Sequence, residues 1–106
     1  MTTDKINGLK EILALDPTSS FARYGIAMEL VALGQIEQAL AEFDELLRLD
    51  PEYTAGYFMS AQTLAGIDRK AEAVERLKLG IGCAARSGNK HAMSEMQAML
   101  EEIESA

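Results

Sequence analysis

The tripeptide Leu15-Asp16-Pro17 returns as Leu49-Asp50-Pro51 thirty-four residues later, and the apolar and small residues around both copies keep the same spacing. No other feature of the chain constrains its fold as much. A period of this length marks a two-helix unit that cannot bury its apolar face alone and has to stack on a neighbour. Chains built this way serve as binding scaffolds.

The rest of the composition agrees with packed helices. With 48% hydrophobic and 25% charged residues, 106 residues can build one core. Tryptophan is absent and aromatics make up only 6%, so burial falls to Leu, Ile, Ala and six Met, which suit helices better than sheets. The class expected is all-α.

Hydrophobic periodicity and breakers place six helices. The first spans 4–15, with Ile6, Leu9, Ile12, Leu13 and Leu15 at helical spacing, Thr3 or Asp4 as its cap, and Pro17 ending it. The second covers 20–33 and ends at Gly34, which supplies a left-handed residue. The third covers 35–49 on an apolar stripe of Ile36, Ala39, Leu40, Phe43, Leu46 and Leu47, with an acidic opposite face. Helices over 53–66 and 69–85 repeat that hairpin, with Asp68 read as the cap between them. After the turn-rich Arg86-Ser87-Gly88-Asn89, a last helix over 90–104 carries Ala92, Met96, Met99, Leu100 and Ile103 on one side.

Shifting the chain by one period superposes Tyr24 on Phe58, Ala27 on Ala61, Leu30 on Leu64, Ala39 on Ala73 and Phe43 on Leu77. Leu9, Ile12, Leu13 and Leu15 likewise match Phe43, Leu46, Leu47 and Leu49, so the first helix is the second half of an earlier unit. The last helix breaks the pattern, because Glu95 falls where Ala61 packs. It reads as a cap that buries the apolar edge of the last repeat and shows Glu101, Glu102 and Glu104 to water. The organisation expected is one domain over 1–106: a leading helix (1–16), a first repeat (20–50), a second (54–85) and a capping helix (89–105).

These residues resemble the tetratricopeptide repeat (TPR), whose pattern is W-x2-L-G-x2-Y, then A-x3-F, then P. The first unit presents Arg23-x2-Ile26-Ala27-x2-Leu30, Ala39-x3-Phe43 and Pro51; the second presents Tyr57-x2-Ser60-Ala61-x2-Leu64 and Ala73-x3-Leu77. Small residues at Ala27, Ala39, Ala61 and Ala73 let paired helices cross closely. Arg23 replaces the usual aromatic, Ser60 the usual leucine, and Ala85 the proline that should end the second unit, a change that lengthens its second helix. The resemblance covers residues 5–85. It implies antiparallel hairpins stacked as a short right-handed α-solenoid, non-enzymatic, with a concave groove lined by the first helix of each repeat that receives a peptide or partner helix.

Read from this chain, the groove would be lined by Phe21, Tyr24, Met28 and Val31 in the first repeat and by Phe58, Met59 and Gln62 in the second. Between Phe21 and Leu33 only Arg23 and Glu29 are charged, so that helix expects cover on both sides. One source of cover is the leading helix or another helix of the stack. Another is an apolar or amphipathic partner segment, for which Met and aromatic side chains make an adaptable surface. A third is a second copy of the chain, giving a homodimer through the same face. In TPR proteins that hold chaperone tails, Lys, Asn and Arg form a carboxylate clamp; here Tyr24, Met28 and Phe58 stand at such positions, which disfavours an acidic tail.

Other functions find less support. Seventeen acidic against ten basic side chains give a net charge of −7, which repels nucleic acid and anionic membranes. A single cysteine, Cys83, allows no internal disulfide, and its neighbours Ile81, Ala84 and Ala85 make it a packing residue. His91, the one histidine, reads as a surface residue, too little for a catalytic set. Gly80 and Gly82 lie inside a helical pattern, where close helix contact explains them better than a phosphate loop. No cofactor or metal is expected. With no export signal or long apolar run, the location expected is cytoplasmic.

Overall fold

A computed structural model describes residues 2–105 of the chain. Six helices account for nearly all of it: α1 (Thr2–Leu15), α2 (Ser20–Ala32), α3 (Ile36–Leu49), α4 (Thr54–Gly66), α5 (Lys70–Ser87) and α6 (Lys90–Ser105). No strand occurs among the described residues, so the all-α expectation holds. The contacts gather into two compact units, Met1–Asp50 with α1 to α3 and Pro51–Ala106 with α4 to α6.

In the N-terminal unit α2 packs on both α1 and α3. Ala22, Ala27, Ala39 and Phe43 are completely buried, and the alanines let the backbones of α2 and α3 approach closely. Ile6 of α1 joins Ile26, Leu30 and Ala39 in one cluster, flanked by Leu9, Leu13 and Val31. Gly25 serves this contact, since a Cβ there would lie 2.9 Å from Leu9 Cδ1. The turn into α2 is tied by polar atoms. Asp16 Oδ1 accepts from the Thr18 amide at 3.1 Å and from its hydroxyl at 2.7 Å, and the Ser19 hydroxyl caps α2 by accepting from the Ala22 amide at 3.2 Å. At the same open end of the hairpin, the Ser20 hydroxyl donates to Asp50 Oδ2 at 2.7 Å.

The C-terminal unit repeats the hairpin with different side chains and adds α6. Ala61, Ala73 and Leu77 are completely buried, as their counterparts are in the first unit. Buried Ser60, where leucine was the expected type, donates to the Tyr57 carbonyl at 3.1 Å and so costs no unpaired hydroxyl. Thr54, one period after Ser20, lies 3.2 Å from the sulfur of Cys83, which is fully buried as the sequence indicates.

Both α2 and α4 end in the same turn. The Gln35 amide donates to the Leu30 carbonyl and the Arg69 amide to the Leu64 carbonyl, each at 2.9 Å, with Gly34 (φ +77°) and Asp68 (φ 62°) left-handed between helix and bond. This six-to-one bond closes the carbonyls that a helix end leaves open. Asp68 is therefore the terminator of α4 and not the cap of α5, which starts from Arg69 without a side-chain cap. The sequence points to a cap because aspartate is among the favoured N-caps, whereas it takes a left-handed helix end only occasionally.

Two further boundaries and one side chain differ from expectation. Helix α1 begins at Thr2, so Asp4 sits within its first turn, where a carboxylate suits the helix dipole; the Thr3 side chain lies outside the described residues. Leu15 is 91% exposed and ends α1 without joining the core. Helix α5 runs to Ser87 and stops at left-handed Gly88, past Ala85, where the missing proline no longer ends it.

Candidate functional site

The expected partner-binding residues fall on both units, and their surroundings differ. Phe21, in the first turn of α2, is 69% exposed. Tyr24 is half-buried with its ring edge-on to Phe43 of α3, centroids 6.4 Å apart. Met28 is half-buried on the same helix, and Val31 packs against the Ile6–Ile26–Leu30–Ala39 cluster. The leading helix thus does part of the covering that the apolar character of α2 demands.

In the C-terminal unit the exposed surface of α4 meets α6 along two adjoining clefts. In the first, of about 240 Å³, Thr54, Ala55 and Phe58 of α4 face His91, Ala92 and Glu95 of α6. In the second, of about 400 Å³, Phe58 and Gln62 face Glu95, Ala98, Met99 and Glu102. Phe58 and Glu95 line both, so the clefts form one furrow with a half-buried aromatic ring at its centre. The structure brings Phe58 and Gln62 together here, whereas Met59 is half-buried and belongs to neither lining.

Packing under the furrow explains why α6 lies where it does. Met96 is completely buried, and a Cβ on Gly80 would stand 2.5 Å from its sulfur and 2.7 Å from Tyr57 Cβ. Only glycine leaves room for α4, α5 and α6 to meet there. Gly82 does no such work, its nearest neighbour being Arg86 Nη1 at 3.5 Å, an ordinary contact. Asn89 caps α6 by accepting from the Ala92 amide at 3.1 Å. With Met96 turned inward, Glu95 is left exposed at the furrow's edge, as the broken repeat pattern indicated.

The furrow's chemistry is simple. Its floor is apolar and its charged lining groups are carboxylates, Glu95 and Glu102. His91 Nε2 lies 3.2 Å from Glu95 Oε1, an ion pair when the ring is protonated. Outside the furrow's lining, Arg86 donates to Glu52 at 2.8 Å, and this guanidinium holds the Glu52 carboxyl below its ordinary range. Burial pushes the Tyr57 hydroxyl up, and it donates to the Pro51 carbonyl at 2.7 Å. Among the described residues no three His, Cys, Asp or Glu side chains gather to hold a metal ion. No described helix is long and apolar enough to cross a membrane.

Sequence reasoning did not anticipate that α6 would wall a cleft. It places Met99 on the apolar side of a cap and Glu102 on its outside; the signal available is Glu95, Ala98, Met99 and Glu102 recurring at three- and four-residue spacing on a helix that leaves the repeat register.

Antiparallel helix pairs of constant period, crossing at alanines and presenting an open helical surface, define a helical-repeat protein. The chain belongs to the tetratricopeptide repeat family. It is 31% identical to a tetratricopeptide repeat domain protein of Salinibacter ruber, whose solution structure matches with a TM-score of 0.80 over 85% of this chain and 91% of that one. It is 27% identical over 101 residues to a TPR repeat-containing protein of Pseudomonas aeruginosa, spanning 95% of this chain and 96% of the relative. A likeness in fold extends to PcrH, whose crystal structure is a complex with the chaperone binding region of PopD: TM-score 0.89 at 19% identity, over 98% of this chain and 79% of that one. No protein-family model matches the chain.

Proposed function

We propose that this protein is a non-enzymatic protein–protein interaction module that receives an apolar or amphipathic segment of a partner on the first helices of its repeats. The observation that carries this reading is the furrow along α4 and α6, where Phe58 is only half-covered and flanked by Ala55, Ala92 and Met99. Burying one such aromatic anchor stabilises a complex by about 1.5–3 kcal/mol before ordering costs. In the N-terminal unit Phe21, Tyr24 and Met28, with Val31 beside them, form a candidate surface of their own on α2; in the C-terminal unit Met59 accompanies Phe58 on α4. PcrH, of the same fold, offers a precedent for holding a segment of another protein.

The test is a titration of the isotope-labelled protein with an amphipathic helical peptide bearing Leu on one face and Gln on the other. Amide shifts are expected to move on α4 and α6. Phe58→Ser should abolish them while leaving the helical circular dichroism intact. An unmoved spectrum, or movement that survives Phe58→Ser, would overturn the proposal.

A second reading, self-association as a homodimer, is favoured by Leu15 and Phe21, which expose 91% and 69% of their surface in the N-terminal unit. Sedimentation in dilute solution separates the two readings. A dimer dissociated by Met28→Glu supports self-pairing, and a monomer at all concentrations excludes it.

A further inference from the structure

Resting on the reading of the α4–α6 furrow as a peptide site, we infer that its partner is a cationic amphipathic helix, with Lys or Arg two turns apart on either side of an apolar anchor. The furrow carries a charge pattern as well as a greasy floor. Phe58 sits at the centre, shared by both clefts, while the charged residues of the lining are Glu95 and Glu102, both exposed on α6. Neither cleft has a lysine or arginine in its lining. By contrast, the cleft of the N-terminal unit between Ile6, Ile26 and Ala41 is lined by both signs, Lys10 and Glu42.

Spacing turns this pattern into a specificity. Glu95 and Glu102 are seven residues apart on one helix, a rise of about 10.5 Å, or two turns. A partner helix lying along the furrow repeats that rise. Cations at its positions i and i+7 would meet the two carboxylates, and an apolar residue at i+3 or i+4 would drop onto Phe58 and Met99. Glu95 Oε1 also lies 3.2 Å from His91 Nε2, a solvent-exposed contact that a partner cation can replace. An acidic segment of the same shape would bring like charges together on a chain whose net charge is already −7.

Three peptides with identical Leu faces, bearing Lys, Gln or Glu at the two flanking positions, test this on the whole protein by calorimetry. The Lys peptide should bind about 2- to 30-fold tighter than the Gln peptide, the range for two solvent-exposed ion pairs, and the Glu peptide weakest. Salt of about 0.5 M should close the gap. So should Glu95→Gln combined with Glu102→Gln, two surface changes that leave the core untouched. Equal binding of Lys and Gln peptides, or a gap that persists in the double variant, overturns the cationic assignment while leaving the furrow as a peptide site. Failure of all three peptides to bind overturns the peptide site itself, and this inference with it.

Discussion

The hydroxyl of Tyr57 donates to the carbonyl oxygen of Pro51 at 2.7 Å. One period earlier, Arg23 reaches the Pro17 carbonyl with Nη2 at 3.3 Å, and its other nitrogen pairs with Glu42 Oε2 at 3.3 Å. Position 23 and its repeat thus hold unlike residues for like work: each ties the start of a hairpin to the turn that leads into it. The family pattern places an aromatic there, and Arg23 keeps the tether while changing the chemistry.

Removing that tether should be measurable. Tyr57→Phe keeps the packing and deletes one hydrogen bond, so the denaturant midpoint should fall by the equivalent of about 0.5–1.5 kcal/mol. An unchanged midpoint would show that the Pro51 carbonyl finds water instead. Because the folded-state pKa of Tyr57 is raised, its contribution is complete below the unfolded value and is lost as pH rises through the folded one. The variant's deficit should therefore shrink in alkali.

Gly80 and Gly82 give a matched pair. Gly80→Ala gains helix propensity but drives a methyl into Tyr57 Cβ and Met96, and a net loss of about 1–2 kcal/mol is expected. Gly82→Ala meets only an ordinary contact with Arg86 Nη1 and should stabilise by up to about 1 kcal/mol. Thermal unfolding of both variants checks the contrast; similar shifts for the two would refute the close approach at Gly80.

The two left-handed terminators predict opposite outcomes. Gly34→Ala forces a Cβ into a conformation it avoids and should cost about 1 kcal/mol, whereas Asp68→Gly relieves such strain and should gain about 0.5–1 kcal/mol. Chemical denaturation of each gives the sign directly. Loss of stability in Asp68→Gly would mean that the Lys70 ammonium, 3.7 Å from Asp68 Oδ1, matters more than the backbone.

Arg86 sets the titration of Glu52. In Arg86→Gln the Glu52 carboxyl should move back up toward its ordinary pKa, followed by side-chain carbon shifts during an acid titration. The depressed value means the pair stabilises the fold above the unfolded pKa and ceases to do so as pH falls through the folded one. A Glu52 titration identical in both proteins would rule out the interaction in solution.

Much of this fold was legible because helical spacing and small residues are written locally. Ala27, Ala39, Ala61 and Ala73 announce tight crossings, and Ala85 in place of proline announces a longer α5. What escaped was decided by neighbours. Leu15 follows the helical stripe yet ends exposed, because α1 stops before the stripe meets a partner. Val31 reads as a groove-lining residue, but it packs against the Ile6–Ile26–Leu30–Ala39 cluster. The inward side of α6 is legible, since Met96 stands on its apolar stripe. How closely that side seats is set by the room Gly80 leaves for Met96, and no periodicity argument contains that distance.

The close approach at Gly80 also bears on how the chain matures. Synthesis runs from the N-terminus, so Tyr57 and Gly80 leave the ribosome before the methionine that packs against that glycine. Until Met96 arrives, the nascent α4–α5 pair carries an uncovered oily flank, which closes when α6 docks.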